Sequence, residues 1–173
     1  MVDKKKDFNY FLEQLKNATA KIDSQFFKLS RAGYCEEQIF RERVYCYELY
    51  HQLRYTIDDN FPYQLNGEVD KRGHSFIKGE FKPDFIVHIP GDMKNNLAVI
   101  EVKPTNAEKV KIKEDIDKFK VFLEADYYKA IMLIYGDDKS KVDYAQFEIA
   151  QSPQSVDILL LWHKEPRSKA EVI

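Results

Sequence analysis

Apolar residues recur every three or four positions through residues 7–30. Phe8, Phe11, Leu12, Leu15 and Ala18 form one series, and Ile22, Phe26 and Leu29 follow it. That spacing predicts helix. The pattern breaks at "SRAGYC", where Gly33 fits a turn. A second helix is predicted over residues 36–55, "EEQIFRERVYCYELYHQLRY". It carries two apolar stripes. Ile39, Cys46, Leu49 and Leu53 make one, and Phe40, Val44, Tyr47 and Tyr50 make the other. A helix apolar on two sides is expected to be covered on two sides.

The period then shortens. "FPYQLNGEVDKRGHSFIKGEFKPDFIVHIPG" reads as strands with turns at Asn66-Gly67 and Arg72-Gly73. "PDFIVHI" and "LAVIEVK" are two apolar strands either side of a polar loop, "PGDMKNN". Pro104 ends the second, and Thr105 is placed to cap a helix over residues 107–124. "YKAIMLIYG" and "VDILLLWHK" are two further buried strands, with an ambiguous segment at 139–151 between them and a polar tail after Pro166. The order of elements predicts an α/β protein: a mixed central sheet flanked by helices, with an added N-terminal helix.

A chain of 173 residues suits one sizeable core, divided here into an N-terminal helical extension, 1–34, and a main domain, 35–173. The 44% hydrophobic and 14% aromatic content excludes intrinsic disorder. A net charge of -2 and a pI near 6.1 do not advertise nucleic-acid binding, but a local basic patch binds phosphates even on an acidic protein. No apolar run is long enough to cross a bilayer, and "MVDKKKDFNYFLEQLK" lacks the apolar core of a signal peptide. A cytoplasmic protein with no membrane partner is expected. Cys35 and Cys46 then read as free thiols, with Cys46 on an apolar helix face as core. His51, His74, His88 and His163 are too scattered for structural zinc.

One feature runs against the hydrophobic pattern. The two best strands carry Asp84, Glu101 and Lys103, and burying charge in a sheet costs free energy. Alternation puts Asp84, Ile86 and His88 on one face of the first strand. Leu97, Val99, Glu101 and Lys103 share a face of the second. If the strands pair, the three charges form one cluster at the end of the hairpin. Two carboxylates suit Mg²⁺, which keeps waters and takes substrate phosphate oxygens as well. A lysine beside it can position or deprotonate an attacking water. Mn²⁺ is expected to substitute. The plainer alternative is a strand-end salt bridge between Glu101 and Lys103, which leaves Asp84 unexplained.

Pro83-Asp84 followed by Glu101-Val102-Lys103 resembles the motif of the PD-(D/E)xK nuclease superfamily, and residues 36–136 resemble its order of elements. The resemblance implies a restriction-endonuclease-like fold and a Mg²⁺-dependent endo- or exonuclease. Asp84 and Glu101 would be the metal ligands and Lys103 the third catalytic residue. Members often place a further active-site Glu on the helix before the motif. Of Glu42 and Glu48, Glu42 shares the face of Ile39, Cys46, Leu49 and Leu53 and is the one assigned. Lys118 matches a polar position on the following helix, and Glu68 an acidic position of some relatives. His88 is equally a site residue or a structural hydrogen-bonding histidine. The partners implied are nucleic acid, DNA first, and a second copy of the chain or an accessory protein. The competing function is a non-catalytic binding or interaction subunit of the same fold in a defence or repair system.

Overall fold

The computed structural model describes residues 3–31, 33–67, 82–92 and 94–173. In chain order the elements are α1 (Lys4–Thr19), α2 (Ser24–Phe27), β1 (Leu29–Arg31), β2 (Tyr34–Ile39) and α3 (Glu42–Thr56). Then come β3 (Gln64–Gly67), β4 (Phe85–His88), β5 (Asn96–Pro104), α4 (Lys109–Glu124) and β6 (Tyr127–Tyr135). The chain finishes with α5 (Lys139–Gln151), a 3₁₀ turn (Ser155–Asp157), β7 (Ile158–His163) and β8 (Glu171–Val172).

Strands β3 to β8 form one mixed sheet in sequence order. β4 pairs antiparallel with both β3 and β5, β5, β6 and β7 are parallel, and β8 returns antiparallel. The parallel pairs need crossovers, and α4 and α5 supply them. β5 and β6 lie in the middle, so "NLAVIEVKP" and "YYKAIMLIY" are apolar nearly throughout. On one face α1 and α3 cover Phe85, Val87, Ile100, Val102 and Leu133. On the other α4 and α5 cover Ile86, Val99, Met132 and Ile134. The architecture is thus α/β, with a mixed six-stranded sheet flanked by helices.

Several local expectations are corrected. Residues 36–39 belong to a hairpin, β1–β2, whose turn holds Gly33 at φ +81°. The helix begins only at Glu42. The hairpin lets Phe40 pack on Phe27 and Tyr135, with centroids 6.4 and 5.5 Å away. Tertiary packing there overrides helical pattern. The first helical run ends at Thr19, and Asp23 caps a separate short α2. Asn66-Gly67 is not a turn but lies in β3, opposite Ile86 and Phe85. Arg72-Gly73 lies outside the described residues. Thr105 does not cap α4: Glu108 holds that position, while the buried Thr105 donates its N–H to Tyr135 O. Leu97 does not share the face of Val99. The β4–β5 register shifts at this point, and Leu97 joins the α1/α3 core.

The two ends of the chain are tied together. Arg167 N donates to Ile22 O at 2.9 Å, and Ala170 N to Thr19 Oγ1 at 2.9 Å. The segment 1–34 expected as an extension contributes Phe8, Phe11, Leu15, Ala18 and Ile22 to the core shared with α3 and the sheet. Its limit at residue 34 falls in the β1–β2 hairpin.

Gly136 closes β6 at φ +120°, and a Cβ there would stand 2.1 Å from Thr105 Oγ1 and 2.9 Å from Phe40 Cζ. Its N–H and C=O are both engaged, to His163 O and from Trp162 Nε1. Backbone strain and overpacking act together here. Gly136→Ala is expected to cost about 3 kcal/mol and lower the melting temperature by roughly 6 to 12 °C. Calorimetry of the two proteins checks this; an unchanged melt would mean that the turn has another conformation.

Candidate active site

Pairing of β4 with β5 sets Ile86 opposite Val99 and Phe85 opposite Ile100. One step further in the same register, Asp84 faces Glu101. The Asp84 carboxylate is anchored: Oδ2 accepts the Val102 N–H at 2.7 Å. Glu101 is in the opposite condition. Only 5% of it is exposed, and among the described residues no hydrogen bond or ion pair reaches its carboxylate. Its backbone is fixed on the other side by the parallel pairing of β5 with β6, where it stands beside Met132.

Two residues on, Lys103 reaches the gap between α3 and α4. Its Nζ lies 3.1 Å from Glu42 Oε2, 3.0 Å from Asp115 Oδ2 and 3.1 Å from Val102 O. Glu42 comes from the first turn of α3, where the helix N-terminus favours a carboxylate. Asp115 comes from α4, 4% exposed, and its Oδ1 is 2.5 Å from Lys118 Nζ. The cluster is therefore Asp84, Glu101, Lys103, Glu42, Asp115 and Lys118.

Asp115 was not among the residues expected from the sequence. A signal for it exists. The buried residues of α4 are Ile112, Asp115, Ile116, Phe119 and Phe122, and in that 3,4-spaced stripe Asp115 is the one charge. A carboxylate on the apolar face of an amphipathic helix is as conspicuous as one in a buried strand.

The electrostatics follow from burial. Desolvation raises Asp84 to about 6, helped by Glu42 and Asp115 and opposed by Lys103 and the Val102 N–H. Burial pushes Glu101 well above the usual carboxylate range, and the charges of Asp115 and Asp84 push it the same way. For Lys103 burial disfavours the ammonium, but Asp115, Glu42 and Asp84 outweigh it and hold the pKa above the ordinary lysine value. Cys46 lies close enough to feel Asp84, Glu42, Lys103 and Glu101, yet it is a buried core thiol with its pKa raised chiefly by desolvation.

Other residues named from the sequence lie elsewhere. Glu48 accepts from Gln52 Nε2 at 2.6 Å along its own helix. His88 Nε2 is 2.8 Å from Asn66 Oδ1 at the far end of β4, about 13 Å along the strand from Asp84. Glu68 lies outside the described residues. The side chains with the chemistry for a hard cation are Asp84 and Glu101. Among the described residues no group of three or more His, Cys, Asp or Glu side chains is gathered to hold an ion unaided.

A raised carboxylate pKa means that folding penalises the charged form. The penalty is absent below about pH 4, grows as pH rises through the folded value of about 6, and is complete above it. Asp84→Asn keeps an acceptor for Val102 N–H and removes the charge. In chelator at pH 8 it is expected to melt roughly 4 to 8 °C above the wild type, a gain of about 2 kcal/mol. At pH 4 the two should coincide. Thermal melts across this range check the prediction, and a variant less stable than wild type at pH 8 would contradict it.

No protein-family model, curated protein or solved structure matches this chain.

Proposed function

We propose that this protein is a divalent-metal-dependent nuclease of the restriction-endonuclease-like class, hydrolysing phosphodiester bonds, with DNA as the first substrate to consider. The observation that carries the reading is Glu101, a buried carboxylate with no donor among the described residues, set opposite Asp84 and two residues from a buried lysine. A purely structural ion pair does not account for it, because Lys103 is engaged by Glu42 and Asp115 rather than by Glu101. Two carboxylates are the protein's share of a Mg²⁺ site that water and substrate phosphate complete. Asp84 and Glu101 would hold the ion.

A cation so held would acidify a water and neutralise charge on the phosphate. In the reaction a water oxygen bonds to phosphorus as the ester P–O bond breaks, and a proton passes to the leaving oxygen. Lys103 contributes as an ammonium, since two carboxylates hold it in that form. Its Nζ donates to Glu42 Oε2 and Val102 O and is ion-paired with Asp115 Oδ2. It reaches a phosphate oxygen by exchanging one of these partners. Glu42 is the most exposed of the three partners, at 37% of its side chain against 6% for Asp115, so that bond gives most easily. Asp115, held in turn by Lys118, keeps the lysine stem aimed during the exchange. The positive charge then acts where negative charge develops.

The test is cleavage of labelled DNA and RNA, single- and double-stranded, with Mg²⁺, Mn²⁺ or chelator. Cleavage should require the ion. Lys103→Ala should lower kcat at least about 100-fold while leaving nucleic-acid binding largely intact. Glu42→Gln should lower the rate, and Glu48→Gln should not. Lys118 remains on Asp115 in the lysine variant, so it is expected to fold with a lowered melting temperature; a melt checks this, and cleavage is assayed below that transition. Cleavage that persists in Asp84→Asn and Lys103→Ala alike would sink the proposal.

A further inference from the structure

Beside Asp84 opens a groove of about 330 Å³ lined by Tyr47, Tyr50, Asn66, Gly67 and Phe85. It is at the small end of the range for ligand sites, about 300 to 1,000 Å³. Its two inner rings are fixed. Tyr50 stacks on Phe85 at an interplanar angle of 14°, and its hydroxyl points to Leu65 O. Tyr47 differs: it is 61% exposed, and among the described residues no ring packs on it. An exposed aromatic face at the mouth of an aromatic groove offers an unoccupied stacking surface.

The groove has a charged continuation. Arg43, Tyr47, His51, Arg54 and Tyr55 are all exposed and recur at helical spacing along the outer face of α3. The helix's two carboxylates are not on this stripe's exposed set. Glu42 turns into the Lys103 cluster and Glu48 bonds Gln52. The exposed Asp58 and Asp59 lie past the C-terminal end of α3. Basic side chains alternating with aromatic ones suit a backbone of phosphates carrying unpaired bases. A closed duplex has no free base face to offer Tyr47.

Building on the nuclease reading, we infer that the substrate is single-stranded, or unpaired at the scissile position. One base stacks on Tyr47 in the groove, the adjoining phosphate lies at Asp84 and Glu101, and the following strand tracks the basic stripe of α3. Tyr47 is the specificity-determining residue. Asn66, whose Oδ1 already meets His88 Nε2, offers its amide to a base edge.

Fluorescence anisotropy in chelator separates binding from cleavage. The probes are a labelled 20-nucleotide mixed-sequence DNA single strand, its RNA equivalent, and the blunt DNA duplex. Tighter binding of either single strand than of the duplex is expected. Tyr47→Ala should weaken single-strand binding about tenfold or more, Tyr47→Phe should retain it, and duplex binding should change in neither. Tyr47 is exposed, so both variants should melt with the wild type. The inference is overturned if the duplex binds as tightly as the single strands, if none of the three binds, or if Tyr47→Ala binds normally. Should single strands bind through Tyr47 while no divalent ion supports cleavage, the binding inference stands and the hydrolase reading falls. Should Mg²⁺-dependent cleavage survive with Tyr47→Ala at normal affinity, the reverse holds.

Discussion

The ammonium of Lys103 joins three elements, β5, α3 and α4. It rides at the end of β5, it faces the first turn of α3, and it is ion-paired with a buried carboxylate from α4. Each partner depends on it. Without the lysine charge, Asp115 would be a 4%-exposed carboxylate left with Lys118 alone, and removing one member of a buried pair is costly. Two helices on opposite faces of the sheet are thereby pinned to one strand end. The surrounding shell is stiff, so Glu101 and Asp84 stay together although their charges repel. That is how a fold keeps an unfavourable arrangement: the strain sits at one place, and packing elsewhere supports it.

The sheet's mixed topology decides where this place lies. β5 is the strand at which antiparallel neighbours give way to parallel ones. Its antiparallel side brings Asp84 from β4 by a short connection. Its parallel side demands a crossover helix, and that crossover is α4, the carrier of Asp115 and Lys118. A sheet of one kind alone would supply one of these contributions and not the other. The location of the cluster is thus a consequence of connection geometry.

Much of this was legible in the sequence, because burial writes itself as apolar pattern. The strands around Phe85–His88, Asn96–Pro104 and Tyr127–Tyr135 are predominantly apolar, and the charges in and beside the first two stand out against that background. Glu42 was separated from Glu48 by helix phase, together with the likeness of "RERVYCYELYHQL" to the superfamily's helix with its Glu near the beginning. What escaped depended on contacts between distant segments. The β1–β2 hairpin exists because Phe40 packs between Phe27 and Tyr135, which no local window reveals. Asn66-Gly67 has turn chemistry but is held in β3 by its pairing with β4. Asp115 was passed over for another reason: charges are ordinary on helices, and only its phase against Ile112, Ile116 and Phe119 marks it as inward.

The hydrogen bond from Ala170 to Thr19 spans 151 residues. It has a consequence for how the molecule comes into being. α1 emerges from the ribosome before the elements that cover it: its buried residues need α3 and the sheet, and the segment that fastens it lies near residue 170. Closing so large a loop is entropically expensive and kinetically late. During synthesis the helix bearing Phe8, Phe11 and Leu15 therefore waits with its apolar face uncovered, in the state that chaperones recognise. A lesion near Arg167 or Ala170 would be felt less as a loss at the far edge of the sheet than as a delay in sealing the first helix.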